Sequence, residues 1–277
     1  MMHNNYSMIL FPTAKLNLGL QIIAKRTDGY HNLQTVFYQF PLKDVLEIVE
    51  DSTLDDGMCV FKSTGLPIPG GENLCVRAYK LLNAKRPLPG VRIYLHKIIP
   101  MGAGLGGGSS DAACTLRLLN TLFKLSLSLD ALREFALQLG SDCPLFIESE
   151  VQYAEGRGEI LSKINLNLKG MYLLVINPNV HISTTDAFAN IKPIVAPSCK
   201  IILEQELRSW KLDLVNDFEA SIFPAYPELK VIKDKLYSLG ADYAAMSGSG
   251  STLFGLFSNE IPITDWNEDY FVWQSCL

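Results

Sequence analysis

The 277-residue sequence is short of paired cysteine, of histidine and of surplus positive charge, and each shortage excludes a class of function. Its six cysteines (59, 75, 114, 143, 199 and 276) form no C-x-x-C pair, and its four histidines do not cluster, so no zinc site is encoded. The same scatter fits a reducing compartment rather than a disulfide framework. A formal net charge of −5 argues against a general nucleic-acid binder, which carries a basic face. Apolar runs of spanning or signal-core length are missing; Met8 to Phe11 is far too short. A cytoplasmic protein with neither a membrane nor a nucleic-acid partner is expected. Internal repeats and low-complexity linkers are absent too, and an apolar content of 48% describes an ordinary globular chain.

What the sequence does have is glycine in one place. Pro100-Met101-Gly102-Ala103-Gly104-Leu105-Gly106-Gly107-Gly108-Ser109-Ser110-Asp111 holds five glycines within seven residues. Ala112, Leu116, Leu119 and Phe123 then recur at helical spacing, which predicts a helix opening near Ser109 to Asp111. Glycines let successive N–H groups converge on one point, and a helix start adds unpaired donors and a positive dipole end, the makings of a phosphate site. Two common patterns overlap the stretch and fail. Gly102-x-Gly104-x-x-Gly107 matches the dinucleotide fingerprint, but Val91 to Ile99 alternates like a half-exposed antiparallel strand, not the buried parallel strand that fingerprint follows. The P-loop pattern fits Gly102, Gly107 and Ser109, yet Gly108 stands where its lysine should be. Such a loop must borrow a cation from elsewhere.

The stretch resembles the second motif of the GHMP kinases, the galactokinase, homoserine, mevalonate and phosphomevalonate kinase superfamily. Further segments narrow the resemblance to the branch acting on a cytidine-diphosphate-linked methylerythritol. Pro12-Thr13-Ala14-Lys15-Leu16-Asn17-Leu18 resembles the first motif; strand alternation puts Lys15 and Asn17 on one polar face, in isolation a solvated one. Arg26-Thr27-Asp28-Gly29-Tyr30-His31 carries a hairpin signal and is similar to the segment that binds cytosine in that branch. Gly140-Ser141-Asp142-Cys143-Pro144 resembles the segment with the catalytic aspartate, and Ser247-Gly248-Ser249-Gly250-Ser251 the third motif.

The resemblance implies an α+β, two-domain GHMP kinase fold, a ribosomal protein S5 domain 2-like N-terminal domain (1–158) and an α/β C-terminal domain (159–277), with the active site in the cleft between them. ATP is expected with its triphosphate on Pro100 to Ser110 and its base toward Asn73, which also reads as a helix cap; Lys97 is a further ATP neighbour. Mg²⁺ is expected mainly on phosphate oxygens, with Ser110 as its protein contact. The branch implies phosphorylation of the substrate's 2-hydroxyl by Asp142 as base and Lys15 as electrostatic partner. Asn17, Tyr30, His31 and Thr184 would bind substrate, and Gly248, Ser249 and Gly250 would support the phosphate pocket. A monomer or weak homodimer is expected. Another kinase of the superfamily, a non-catalytic nucleotide sensor on the same fold and, more distantly, an NAD-binding protein stay open at this point. Elsewhere the spacing predicts helices over 74–85, 129–139 (closed by Gly140 as a C′ residue), 200–210, 216–223 and 227–239. Phe271 to Cys276 is expected to close a sheet edge.

Overall fold

The computed structural model of the chain describes residues 6–189, 191, 193, 197–262 and 264–277. In chain order it holds β1 (Ser7–Leu10), β2 (Thr13–Lys25), β3 (His31–Lys43), β4 (Val45–Glu50), β5 (Cys59–Gly65), α1 (Leu74–Asn83), β6 (Val91–Lys97), α2 (Gly107–Leu122) and α3 (Leu129–Leu139). A 3₁₀ turn over Pro144–Ile147 leads to β7 (Gln152–Glu155), β8 (Ile160–Lys163), β9 (Tyr172–Asn177) and α4 (Thr184–Ala189). The remainder is α5 (Cys199–Leu203), α6 (Trp210–Asp213), α7 (Phe218–Ala225), α8 (Pro227–Ser238), β10 (Tyr243–Met246), β11 (Leu253–Phe257) and β12 (Phe271–Cys276). These elements group into two compact units that interleave along the chain. The first takes β1, Leu42–Met101 and Gly106–Ser149; the second takes Lys15–Pro41, Gly102–Leu105 and Glu150–Leu277.

In the first unit the sheet order is β1-β4-β6-β5. Strand β6 pairs antiparallel with β4 but parallel with β5, because α1 supplies the crossover that a parallel neighbour requires. The wholly antiparallel setting expected for Val91 to Ile99 is therefore half right. Leu46, Ile48, Ile93 and Leu95 face inward, and α2 brings Ala112, Leu116 and Leu119, all fully buried, to the same core. Each such leucine contributes ~1.5–3 kcal/mol. Helix α3 ends at Gly140 with φ 171°, extended backbone rather than the left-handed closure expected there.

The second unit carries two antiparallel sheets, β2-β3-β7-β8 and β10-β11-β9-β12, with β12 on the edge as expected. Strand β2 is buried on both faces: Leu16, Leu18 and Ile22 on one, Lys15, Asn17 and Gln21 on the other. Its polar face is thus interior, not solvated. The single helix expected over 200–210 is broken into α5, a 3₁₀ turn at Leu207–Ser209 and α6. Local polar bonds compete with the helix there: the Trp210 indole N–H donates to the Gln205 carbonyl and Ser209 Oγ donates to that of Glu206.

Candidate active site

The glycine loop takes the backbone shape its composition permits. Gly102, Gly104 and Gly106 sit at φ +64°, +78° and +71°, where side chains are strained. Helix α2 opens at Gly107, two residues earlier than its apolar spacing indicates, and its N-cap Gly106 offers no side-chain cap. The first N–H groups of α2 are left for another acceptor. Gly107 is needed for space: a Cβ there would lie 2.8 Å from Lys97 Nζ and 2.9 Å from Ile99 Cγ2.

Beneath that helix start lies a buried charge cluster. Lys97 Nζ bonds Asp44, and Asp111 at 2.8 Å, with the three side chains 0, 0 and 4% exposed. Asp44 also accepts from the Ile98 and Ile99 amides at 2.6 and 2.9 Å. Burial works against the Lys97 ammonium, but Asp111 and Asp44 outweigh it and hold its pKa above the ordinary value. Burial pushes Asp111 up to about 7, opposed by Lys97 and reinforced by Asp44. Asp111 Oδ1 and Ser110 Oγ are buried with no hydrogen-bond partner among the described residues. Lys97 is therefore a support under the loop, already engaged by two carboxylates.

Three other predicted residues fall in the same unit. Asn73 caps α1, its Oδ1 accepting from Cys75 N at 2.8 Å, and borders a pocket of about 130 Å³ with Leu74, Met101, Gly108 and Asp111. Asp142 is half-buried in the turn that leads from α3 into the 3₁₀ segment Pro144–Ile147. It belongs to one electrostatic neighbourhood with Ser109: burial pushes the Cys143 thiol up to about 11, a hydrogen bond from Ser109 lowers it, Asp142 raises it and Arg77 lowers it.

In the second unit, Lys15 donates to Asn17 Oδ1 at 2.6 Å and lies 5.3 Å from the centre of the Phe37 ring. Asn17 Nδ2 donates in turn to Thr35 Oγ1 at 3.0 Å, so Asn17 orients the ammonium. The Ser-Gly loop after β10 clamps the glycine segment: Ser247 Oγ donates to the Gly104 carbonyl at 2.9 Å, and a Cβ on Gly104 would run into the Ser247 carbonyl. Asn216 Nδ2 fixes that loop by donating to the carbonyls of Met246 and Gly248 at 2.7 and 2.8 Å. His181 overlies Gly102, its Nδ1 3.5 Å from where a Cβ would stand.

Tyr30 is 56% exposed, with the Arg157 guanidinium 4.9 Å from its ring centre. The His31 ring stacks on Phe188 at 4.8 Å and 15°, and Phe188 meets Phe218 edge-on. Burial, then the Lys25 charge, holds the His31 pKa below the usual value. The Thr184 side chain lies outside the described residues. Sequence reasoning missed Phe188, Asp44 and Asp111. An aromatic seven residues beyond His181 was a signal for the first, whereas Asp44 and Asp111 needed tertiary structure.

Residues 73–149 match the description of the GHMP kinases N terminal domain, and residues 201–263 that of the GHMP kinases C terminal region. The chain is 53% identical over 276 residues to a 4-diphosphocytidyl-2-C-methyl-D-erythritol kinase of Bacteroides fragilis, covering 98% of this chain and 100% of that one. A kinase of the same name from Bacteroides thetaiotaomicron is 49% identical over 275 residues, covering 98% and 100%. Among solved structures, a 4-(cytidine 5'-diphospho)-2C-methyl-D-erythritol kinase superposes with a TM-score of 0.77 at 36% identity, over 90% of each chain. Homoserine kinase from Cytophaga hutchinsonii reaches 0.68 at 16% identity over 99% of this chain and 95% of that one, which speaks to fold alone.

Proposed function

The chain belongs to the 4-diphosphocytidyl-2-C-methyl-D-erythritol kinases within the GHMP kinases, and from that premise we propose that Asp142 and Lys15 carry its chemistry. It is an ATP-dependent kinase that phosphorylates the 2-hydroxyl of 4-diphosphocytidyl-2-C-methyl-D-erythritol in isoprenoid precursor synthesis. Asp142 accepts the hydroxyl proton as the substrate oxygen attacks the γ-phosphorus and ADP departs. Lys15, held by Asn17, places positive charge on the transferring group and replaces the cation that the loop lacks at Gly108. The N–H groups of the glycine loop and of the first turn of α2 cradle the phosphates. The observation that carries this reading is the uncapped start of α2 behind three left-handed glycines, with Ser109 and Asp142 around one thiol.

Magnesium fits this donor set in one respect. The described residues hold no cluster of three ligating acids, histidines or cysteines, so the ion would rest mainly on phosphate oxygens, and the unpartnered Ser110 hydroxyl is suited to be its protein contact. When bound it would neutralise charge on the phosphates. The cytidine end is assigned to Tyr30, His31 and Thr184, with Phe188 as the aromatic neighbour.

The test is ATP consumption with the cytidine-linked methylerythritol set against mevalonate, homoserine and galactose, repeated with Asp142→Asn. Turnover confined to the first substrate, and a kcat loss of ~10²–10⁴-fold in the variant, is expected. A variant with near-normal kcat overturns the role of Asp142.

A further inference from the structure

The polar face of β2 is tied to β3 by a chain of hydrogen bonds that can run in only one direction. Lys15 Nζ donates to Asn17 Oδ1 at 2.6 Å, Asn17 Nδ2 donates to Thr35 Oγ1 at 3.0 Å, and Thr35 Oγ1 donates to the Gly19 carbonyl at 2.5 Å. The three side-chain members are 3, 2 and 0% exposed, so a lost link there is costly. The two ends fix the polarity, because an ammonium only donates and a backbone carbonyl only accepts. The single Thr35 hydroxyl proton is committed to Gly19, which obliges Thr35 to accept from Asn17. The asparagine amide then shows its NH₂ to Thr35 and its oxygen to Lys15. The far anchor is well defined: Gly19 holds a φ of +66°, with Leu214 Cδ1 2.6 Å from where a Cβ would stand. Phe37, two residues along β3 from Thr35 and so on the same face, lies 5.3 Å from the ammonium, measured to its ring centre.

We propose that Thr35 is a positioning residue for phosphoryl transfer: its hydroxyl sets which end of the Asn17 amide faces Lys15, and through it where the Lys15 ammonium stands. The proposal rests on the reading that Lys15 places positive charge on the transferring group. A lysine is a point charge on a flexible stem, so one that serves a transition state needs a fixed acceptor behind it. Asparagine alone is a poor anchor, because a half-turn of its amide exchanges an acceptor for a donor at almost no change of shape. Thr35 breaks that symmetry. Valine at position 35 keeps the branched shape and removes the hydroxyl, which strands the Asn17 NH₂ and takes a donor from the Gly19 carbonyl. Only Lys15 itself then selects the orientation of the amide. Phosphate binding by the glycine loop uses none of these atoms, so the loss falls on the chemical step.

The experiment is steady-state kinetics of the full chain with ATP and the cytidine-linked methylerythritol, on Thr35→Val and Thr35→Ser, each first shown to be folded by urea unfolding. Expected in Thr35→Val is a kcat ~10–100-fold lower, with the KM for ATP within ~3-fold of the parent, and recovery of most of that loss in Thr35→Ser, which keeps the hydroxyl. In an Asn17→Ala background, Thr35→Val should cost no further kcat, because the residue it acts through is already gone. A threonine that merely packs the sheet would lower stability and leave the kcat of the folded protein unchanged. Parent-like kcat in folded Thr35→Val overturns the proposal, and so does an equal fold-loss with and without Asn17. Should Thr35→Val not fold, NMR of the parent decides: the Asn17 NH₂ protons should show a stronger Overhauser contact to the Thr35 β-proton than to the Lys15 ε-protons, and the reverse order overturns the proposal. Lys15→Met separates the wider reading. Near-parent kcat there removes the role of Lys15 and the proposal with it, whereas a large loss beside an intact Thr35→Val removes the proposal alone.

Discussion

Replacing Lys97 by methionine separates a structural role from a nucleotide contact. The substitution keeps much of the side-chain volume and removes the one cation between Asp44 and Asp111, whose side chains are 0 and 4% exposed. Breaking a buried pair by deleting one partner costs ~3–5 kcal/mol, and here two carboxylates lose their partner. Against a total of ~5–15 kcal/mol for an ordinary domain, that is a large fraction of stability. The pH dependence has a definite sign. Burial pushes the Asp111 pKa up from the ordinary 3.8 to about 7, so the folded state holds a proton that the unfolded state has released. In the parent the cost of burying that carboxylate is absent below the unfolded value and complete above pH 7; without the Lys97 ammonium the Asp111 pKa rises further, so the variant's extra deficit opens above pH 7 and closes on acidification. Urea unfolding followed by tryptophan fluorescence should show Lys97→Met most destabilised at pH 8 and partly recovered at pH 5. Asp111→Asn in the same background should restore much of the loss, because it removes one of the two stranded charges. A variant as stable as the parent at pH 8, or one whose deficit does not shrink on acidification, would refute the reasoning. Nucleotide titration where both proteins are folded then isolates any direct contact: a support under the loop predicts weaker binding of ATP and inosine triphosphate by the same factor.

Gly104→Ala should weaken ATP binding ~10-fold or more, since φ +78° and the Ser247 carbonyl both oppose a Cβ and the loop must shift; titration calorimetry reads it. Asn216→Ala should cost ~2–5 kcal/mol in urea unfolding, because two buried carbonyls lose their donor at once. His31 should stay neutral as pH falls through the ordinary histidine value of ~6.5. Its folded pKa is depressed, so its contribution is whole above that value, falls progressively below it and is fully lost once pH has dropped through the lower one. An NMR titration of the imidazole checks this, and a midpoint at or above the ordinary value would contradict the burial of the ring against Phe188.

Much of this site was legible because it is local. The glycine run, the Asn73 cap and the Asp-Gly turn before Tyr30 are each written within a few consecutive residues, and the structure realises all three. The start of α2 differs for a physical reason: apolar spacing begins at Ala112, but Gly107 and Gly108 already belong to the helix, and at Gly107 Lys97 and Ile99 leave no room for a side chain. Helix propensity disfavours both glycines, and packing overrides it. Lys97 shows the opposite limit. One residue beyond a strand's last exposed histidine, it reads as a free cation beside a phosphate loop, yet its partners stand 53 and 14 residues away. Strand β2 makes the same point, since alternation locates Lys15 and Asn17 on one face but says nothing of what covers that face. Charge in this site is therefore set by long-range neighbours, while its backbone is set by near ones. Because Gly108 stands where a loop lysine would, the chemistry proposed for this chain draws its cation and its base from residues remote from the loop in sequence. Function here is legible from which local motifs occur together, not from any one of them.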